Sequence, residues 1–266
     1  MSLDGLIDEY NAALKTGIDR DLALFLSQRL GVEPNDNKAT GVAPLREFWP
    51  ALPAPDEPGA WPVVVSLDPS SGTDDPFAMC CMWREGNDVA FRVMQFLTAH
   101  GYSRAGDALR GVYDQAKACG ELVVCDTASE MVDLVVAEVA TYADGGEVII
   151  GGDAYGLTGL TERLSDVLWN EFATVSQGWK LLKSMELIDA LALDGKLRPM
   201  RTPLLTFNIE SLVLENGPKG RVFSKRDAGL SGQGQAKIDG LMATLSALDL
   251  LYSRPEQTFD AAALIG

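Results

Sequence analysis

The chain has 266 residues, 47% hydrophobic and 23% charged, the make-up of a soluble globular protein with one large domain or two small ones. Its 38 acidic and 22 basic side chains give a formal charge of −16, which excludes a general basic coat for polyanions. The chain lacks both a run of about 18 apolar residues and, at Met1-Ser2-Leu3-Asp4, the basic-then-apolar layout of a secretion signal, so a cytosolic protein is expected.

In chain order, Leu6, Tyr10 and Leu14, then Leu22, Leu24, Phe25 and Leu30, fall at helical spacing and predict two short amphipathic helices in the first 31 residues. Between Glu33 and Ala60 six prolines (Pro34, Pro44, Pro50, Pro53, Pro55, Pro58) disfavour helix and central strand, and predict a linker or wrapping arm. Such an arm joins folded units, so residues 1–60 are expected to be a helical segment and tether within a longer protein. The compact domain is expected over 61–254, with 255–266 a tail. It opens with the β-branched run Pro62-Val63-Val64-Val65-Ser66-Leu67, a buried strand ended by Asp68. Phe77 to Trp83 and Asp88 to Phe96 predict two strands, made antiparallel by the turn Glu85-Gly86-Asn87. Helical spacing follows in Leu109, Val112 and Ala116, and again in Met131, Leu134, Val135 and Val139, on either side of the strand Leu122-Val123-Val124-Cys125. Glu147 to Ile150 predicts a strand ending in Gly151-Gly152-Asp153. A helix over Trp179 to Leu193, a hairpin-like stretch from Leu204 to Phe223 and a helix from Ala236 to Tyr252 complete an α/β layer fold with a mixed sheet.

Acids at element ends carry the functional signal. Asp68 closes the first strand and is followed by Pro69-Ser70-Ser71-Gly72-Thr73-Asp74-Asp75, small residues that leave backbone room for ions or phosphate oxygens. Asp153 closes a later strand in the same manner, and ligand sites in open α/β sheets lie beyond the carboxyl ends of strands. Turn formation alone also accounts for either aspartate. Asp239 lies at the edge of the apolar stripe Ile238, Leu241, Met242, Leu245 and Leu248, about 60° from Met242 on a helix. A carboxylate there needs a positive partner unless it is solvated, and Lys237 on helical spacing points away. A divalent cation is one solution. With a single histidine, His100, and no CxxC pair among Cys80, Cys81, Cys119 and Cys125, oxygen donors favour Mg2+ or Mn2+ over zinc, and buried thiols are expected. Asp126 reads as a helix N-cap, and Asp74 and Asp75 as turn acids able to assist a metal.

The segment from Lys180 to Asp239 holds ten basic and seven acidic residues, a local +3 against −19 elsewhere. Such a basic wall suits contact with backbone phosphates. The glycine-rich stretch Ala228 to Gln235 reads as a substrate-gripping loop or a linker.

Val-Val-Ser-Leu-Asp68 with its Ser-Ser-Gly-Thr turn, Gly-Gly-Asp153-Ala-Tyr after a strand, Val175-Ser-Gln177-Gly178 before a helix and Lys237-Ile-Asp239-Gly240 opening the last helix occur in that order. Together they resemble the C-terminal nuclease domain of the large terminase subunit of tailed bacteriophages, over about Pro62 to Arg254. Gly152-Asp153-Ala154 replaces that family's frequent Asp-Pro-Trp, and Leu197-Arg198-Pro199 lacks its common histidine. The resemblance implies a ribonuclease H-like fold and an endonuclease that cuts concatemeric viral double-stranded DNA during packaging in the host cytoplasm. Asp68, Asp153 and Asp239 would be the catalytic acids holding two Mg2+ or Mn2+ ions, with Asp68 bridging both. Gln177, Lys180, Lys225, Arg226 and Lys237 would bind substrate. Expected partners are double-stranded DNA, a packaging ATPase domain N-terminal to this one, a small terminase subunit and a portal protein. No GxxxxGK[ST] occurs, so ATP-driven translocation is not expected of this chain. Two rivals remain: an actin-like or sugar-kinase-like nucleotide-binding protein, because Asp68-x-Ser-x-Gly-Thr73 resembles a phosphate turn, and a non-catalytic docking module of a packaging complex.

Overall fold

The computed structural model describes residues 44–144, 148–153, 160–168, 172–217, 220–225 and 236–253. All of them belong to the unit Val42–Gly266. The helices expected in the first 31 residues, Arg226, the glycine-rich stretch 228–235 and the tail 255–266 lie outside the described residues.

Nine strands are described: β1 (Val64–Asp68), β2 (Phe77–Glu85), β3 (Asp88–Thr98), β4 (Leu122–Cys125), β5 (Ile149–Asp153), β6 (Ala173–Val175), β7 (Leu197–Pro199), β8 (Leu212–Gly217) and β9 (Gly220–Lys225). The main sheet runs β4-β3-β2-β1-β5-β6, with β7 also on β3, and β8-β9 is a separate hairpin. β1, β2 and β3 meander antiparallel, as the turn at Gly86 predicts, while β4 and β7 on β3, and β5 on β1, add in parallel. The helices are α1 (Pro44–Phe48), α2 (Ala99–Arg104), α3 (Asp107–Ala118), α4 (Ala128–Ala143), α5 (Leu160–Ser165), α6 (Leu182–Leu193), α7 (Pro203–Ser211) and α8 (Asp239–Ser253). No described helix is long and apolar enough to cross a membrane.

Strand alternation sorts the core onto two faces. Val64, Ala78, Cys80, Met82, Val89, Phe91 and Val93 pack with α8, α6 and α7. Val65, Leu67, Phe77, Met79, Cys81 and Phe96 pack with Met131, Val135 and Val139 of α4 and Leu164 of α5. A third cluster, with Leu97, Leu109, Tyr113, Leu122 and Leu204, closes the β4 edge.

Several expectations need correcting. The proline-rich arm is helical over Pro44–Phe48 and continues in a 3-10 turn over Trp49–Ala51, and Leu45, Trp49 and Leu52 enter the core; Pro44 and Pro50 sit in first turns, where a missing N–H costs no helical hydrogen bond. Asp189 on α6 accepts the Leu45 N–H at 2.8 Å, and Thr206 accepts the Trp49 indole N–H at 3.0 Å. The hairpin expected from Leu204 begins only at Leu212, since Pro203–Ser211 is a helix whose first amides donate to the buried carboxylate of Glu121. Helix α4 is capped by Thr127, not Asp126. Thr127 accepts the Glu130 N–H, and the Glu130 carboxylate reaches back to accept the Asp126 N–H, one residue before the cap. Cys80, Cys81 and Cys125 are buried free thiols, as expected, but Cys119 is exposed.

Candidate active site

β1 and β5 lie side by side and parallel, with Leu67 opposite Gly152, so one step further along Asp68 and Asp153 end neighbouring strands. Parallel strands are about 4.8 Å apart. By alternation both aspartates belong to the face covered by α8, and both are half-buried. The glycine pair before Asp153 is required by close approach. Gly152 has φ +145°, and a Cβ there would run into the Leu67 backbone, while a Cβ on Gly151 would strike Ala173 and Leu250 of α8.

Across the sheet the same row continues from Asp68 to Ala78 on β2 and Gln95 on β3. Gln95 is fully buried and donates to Asn208 of α7 at 3.2 Å. The Asn208 carboxamide oxygen accepts the Gly240 N–H at 2.9 Å, and its amide donates to the Lys237 carbonyl at 3.1 Å. This buried side chain therefore fixes the first turn of α8, and with it Asp239, which is 7% exposed. An N-terminal position also suits a carboxylate electrostatically.

The turn after Asp68 folds on itself. Ser70 donates to the Asp75 carbonyl at 2.6 Å and accepts the Gly72 N–H, and Thr98 donates to the Gly72 carbonyl through both its hydroxyl, at 2.7 Å, and its backbone N–H. Gln177, just past β6, donates to Asp68 Oδ1 at 2.6 Å, so it orients the first acid directly. Burial pushes the Tyr113 phenol up, and the Asp239 and Asp75 carboxylates add to that rise.

Lys237 is not the surface cation that the sequence suggested. It is 4% exposed, and its Nζ donates to the Asp74 carbonyl at 2.6 Å and to Asp75 Oδ1 at 2.8 Å. α8 starts at Asp239, so the helical spacing that turned Lys237 away does not hold there. Asp75 is consequently more than a solvated turn acid, while Asp74 pairs with Arg104 at the surface. Lys180 is exposed and near Ser176, and the Lys225 backbone ends β9 opposite Leu212. The basic wall is thinner than its count. Arg198 is held by Asp56, Glu85 and Asp88, Lys196 by Asp194, and Arg201 by the carbonyls of Trp49 and Pro50.

Sequence reasoning missed Gln95 and Asn208. The available signal was a polar residue inside otherwise apolar runs, Val93-Met94-Gln95-Phe96 and Leu204-Leu205-Thr206-Phe207-Asn208-Ile209.

No protein-family model matches the chain, and no curated protein matches it at a significant level. Among solved structures, the HK97 bacteriophage large terminase is similar, with a TM-score of 0.62 at 17% identity over 77% of this chain. The fold is the ribonuclease H-like fold of the terminase nucleases. The match covers 42% of the HK97 large terminase's own length. The large terminase nuclease of thermophilic phage G20c superposes with a TM-score of 0.45 at 12% identity, over 73% of this chain and 83% of that one.

As arranged here, no group of three or more His, Cys, Asp or Glu side chains among the described residues converges tightly enough to hold a metal ion. The chemistry of Asp68, Asp153 and Asp239 nevertheless fits a hard divalent ion, since all three offer carboxylate oxygens. A buried ammonium, that of Lys237, already stands as a cation beside the turn that follows Asp68.

Proposed function

We propose that this domain is a metal-dependent endonuclease that hydrolyses double-stranded viral DNA during genome packaging, with low sequence specificity. The observation that carries the reading is the juxtaposition of Asp68 and Asp153 at the ends of adjacent parallel strands, beneath the helix that begins at Asp239. The terminase-like fold supports the same reading. Asp68, Asp153 and Asp239 would hold two Mg2+ or Mn2+ ions, which when bound supply activation of water and stabilisation of the leaving 3′ oxygen. The chain's own residues do the rest. Gln177 orients the Asp68 carboxylate, and Asn208 fixes the helix start that carries Asp239. Exposed Lys180, together with Lys225 and Arg226, would contact backbone phosphates without reading bases. Site choice would come from a small terminase subunit, and the motor and docking functions from an N-terminal ATPase domain and a portal protein.

The test is cleavage of supercoiled plasmid in Mg2+, Mn2+ or EDTA by the wild type, Asp68→Asn and Asp239→Asn. Nicking and linearisation that need metal and disappear in both folded variants are the expected result. Absence of cleavage by a folded wild type at every metal concentration would favour a docking module instead.

A further inference from the structure

An ammonium group is among the costliest side chains to bury, and Lys237 is buried at the entrance to α8. Two of the groups that compensate it come from the other acid-bearing segment. Asp74 and Asp75 end the turn that starts at Asp68, and they supply a carbonyl and a carboxylate to its Nζ at 2.6 and 2.8 Å. Lys237 therefore bridges the segment after Asp68 to the segment before Asp239. Lys237 lies two residues before Asp239, so the bridge to Asp75 is made at the entrance to the helix that Asp239 opens.

We propose that Lys237 is a resident cation of the acidic corner, competing with divalent metal for its carboxylates and thereby setting a low metal affinity. This rests on the reading that Asp68, Asp153 and Asp239 bind Mg2+ or Mn2+. Two physical effects act together. A fixed, buried positive charge between the segments that carry Asp68 and Asp239 repels an incoming divalent ion, more strongly where burial lowers the effective dielectric. The same ammonium also withholds Asp75, an oxygen donor that a hard cation would otherwise use. In the metal-free protein Lys237 does the structural work of an ion, holding two acidic segments together without a metal.

The experiment is Mn2+ titration followed by electron paramagnetic resonance of the free ion, on the wild-type chain, Lys237→Met, Lys237→Gln and Lys237→Arg, with thermal melts in EDTA and in excess Mn2+. The neutral variants are expected to bind Mn2+ at least tenfold more tightly than wild type. They should melt lower in EDTA and recover in Mn2+, while Lys237→Arg stays close to wild type. Lys237→Gln retains a hydrogen-bond donor, so it serves if the methionine variant fails to fold. Folded neutral variants with unchanged or weaker Mn2+ affinity would overturn the inference alone, leaving Lys237 a structural tie. Absence of Mn2+ binding by every form would overturn the metal-site reading and this inference with it.

Discussion

The two faces of the central sheet are built from the same strands but to different rules. The face packed by α4 and α5 is mostly apolar, from Val65 and Leu67 to Phe77, Met79 and Phe96, and its charged member Arg92 is half-buried over the Trp83 and Tyr142 rings with a hydrogen bond to the Tyr142 hydroxyl. The face under α8 interleaves its apolar residues with buried Ser66, Gln95, Asn208, Lys237, Asp239, Thr244 and Ser246. Among the described residues the hydroxyls of Ser66 and Ser246 are buried without a hydrogen-bond partner, which costs stability that an apolar residue would not. The first face supplies cohesion, and the second carries polar groups that cohesion alone would not select. A fold that concentrates such costs on one face, at the carboxyl ends of its parallel strands, is organised around a site there.

This contrast can be broken most forcefully from the apolar side. Leu164→Ala on α5 removes a side chain that is 1% exposed, and should cost about 2–5 kcal/mol by denaturant melts. Plasmid cleavage per folded molecule should be unchanged, and a parallel loss of activity would mean that the two faces are not functionally separate. A smaller stability effect with a larger functional one is expected at Asn208. Asn208→Ala strips the Gly240 N–H and the Gln95 amide of their acceptor, at about 1–3 kcal/mol. Cleavage should fall more than tenfold at temperatures where the variant is fully folded; retained cleavage would show that the start of α8 needs no such latch.

The smallest effect concerns the seam between the arm and α6. Burial raises the Asp189 carboxyl from 3.8 to about 6, against the opposing pull of the Leu45 N–H. A raised carboxyl pKa means that the folded state favours the proton. The associated stability is full below about pH 4 and is lost as pH rises through 6. Asp189→Asn keeps an oxygen for Leu45 and removes the charge, so it should melt a few degrees above wild type at pH 8 and level with it at pH 4. An advantage that persists at pH 4 would place the effect outside ionisation.

Local chemistry explains which parts were legible beforehand. β-Branched runs closed by Asp68 and Cys125, the Gly86 turn and the α4 stripe are patterns of neighbours in sequence, and all appear where expected. Three-residue β6 and β7 are too short to show alternation; they exist because the edges of β5 and β3 offer them partners. The Leu204 stretch reads as strand on composition, yet it is a helix because the carboxylate of Glu121, more than eighty residues earlier, takes its first amides.

The same division holds at the site. The sequence by itself determined that acids end two strands and open a late helix, because strand termination and helix entry are written in adjacent residues. Only the tertiary structure decided that Asp68 and Asp153 are neighbours, that Asn208 and Gln95 hold the helix start, and that Lys237 turns inward to Asp75. Those relations join residues up to 162 positions apart, where register, burial and charge pairing act and local spacing carries no information.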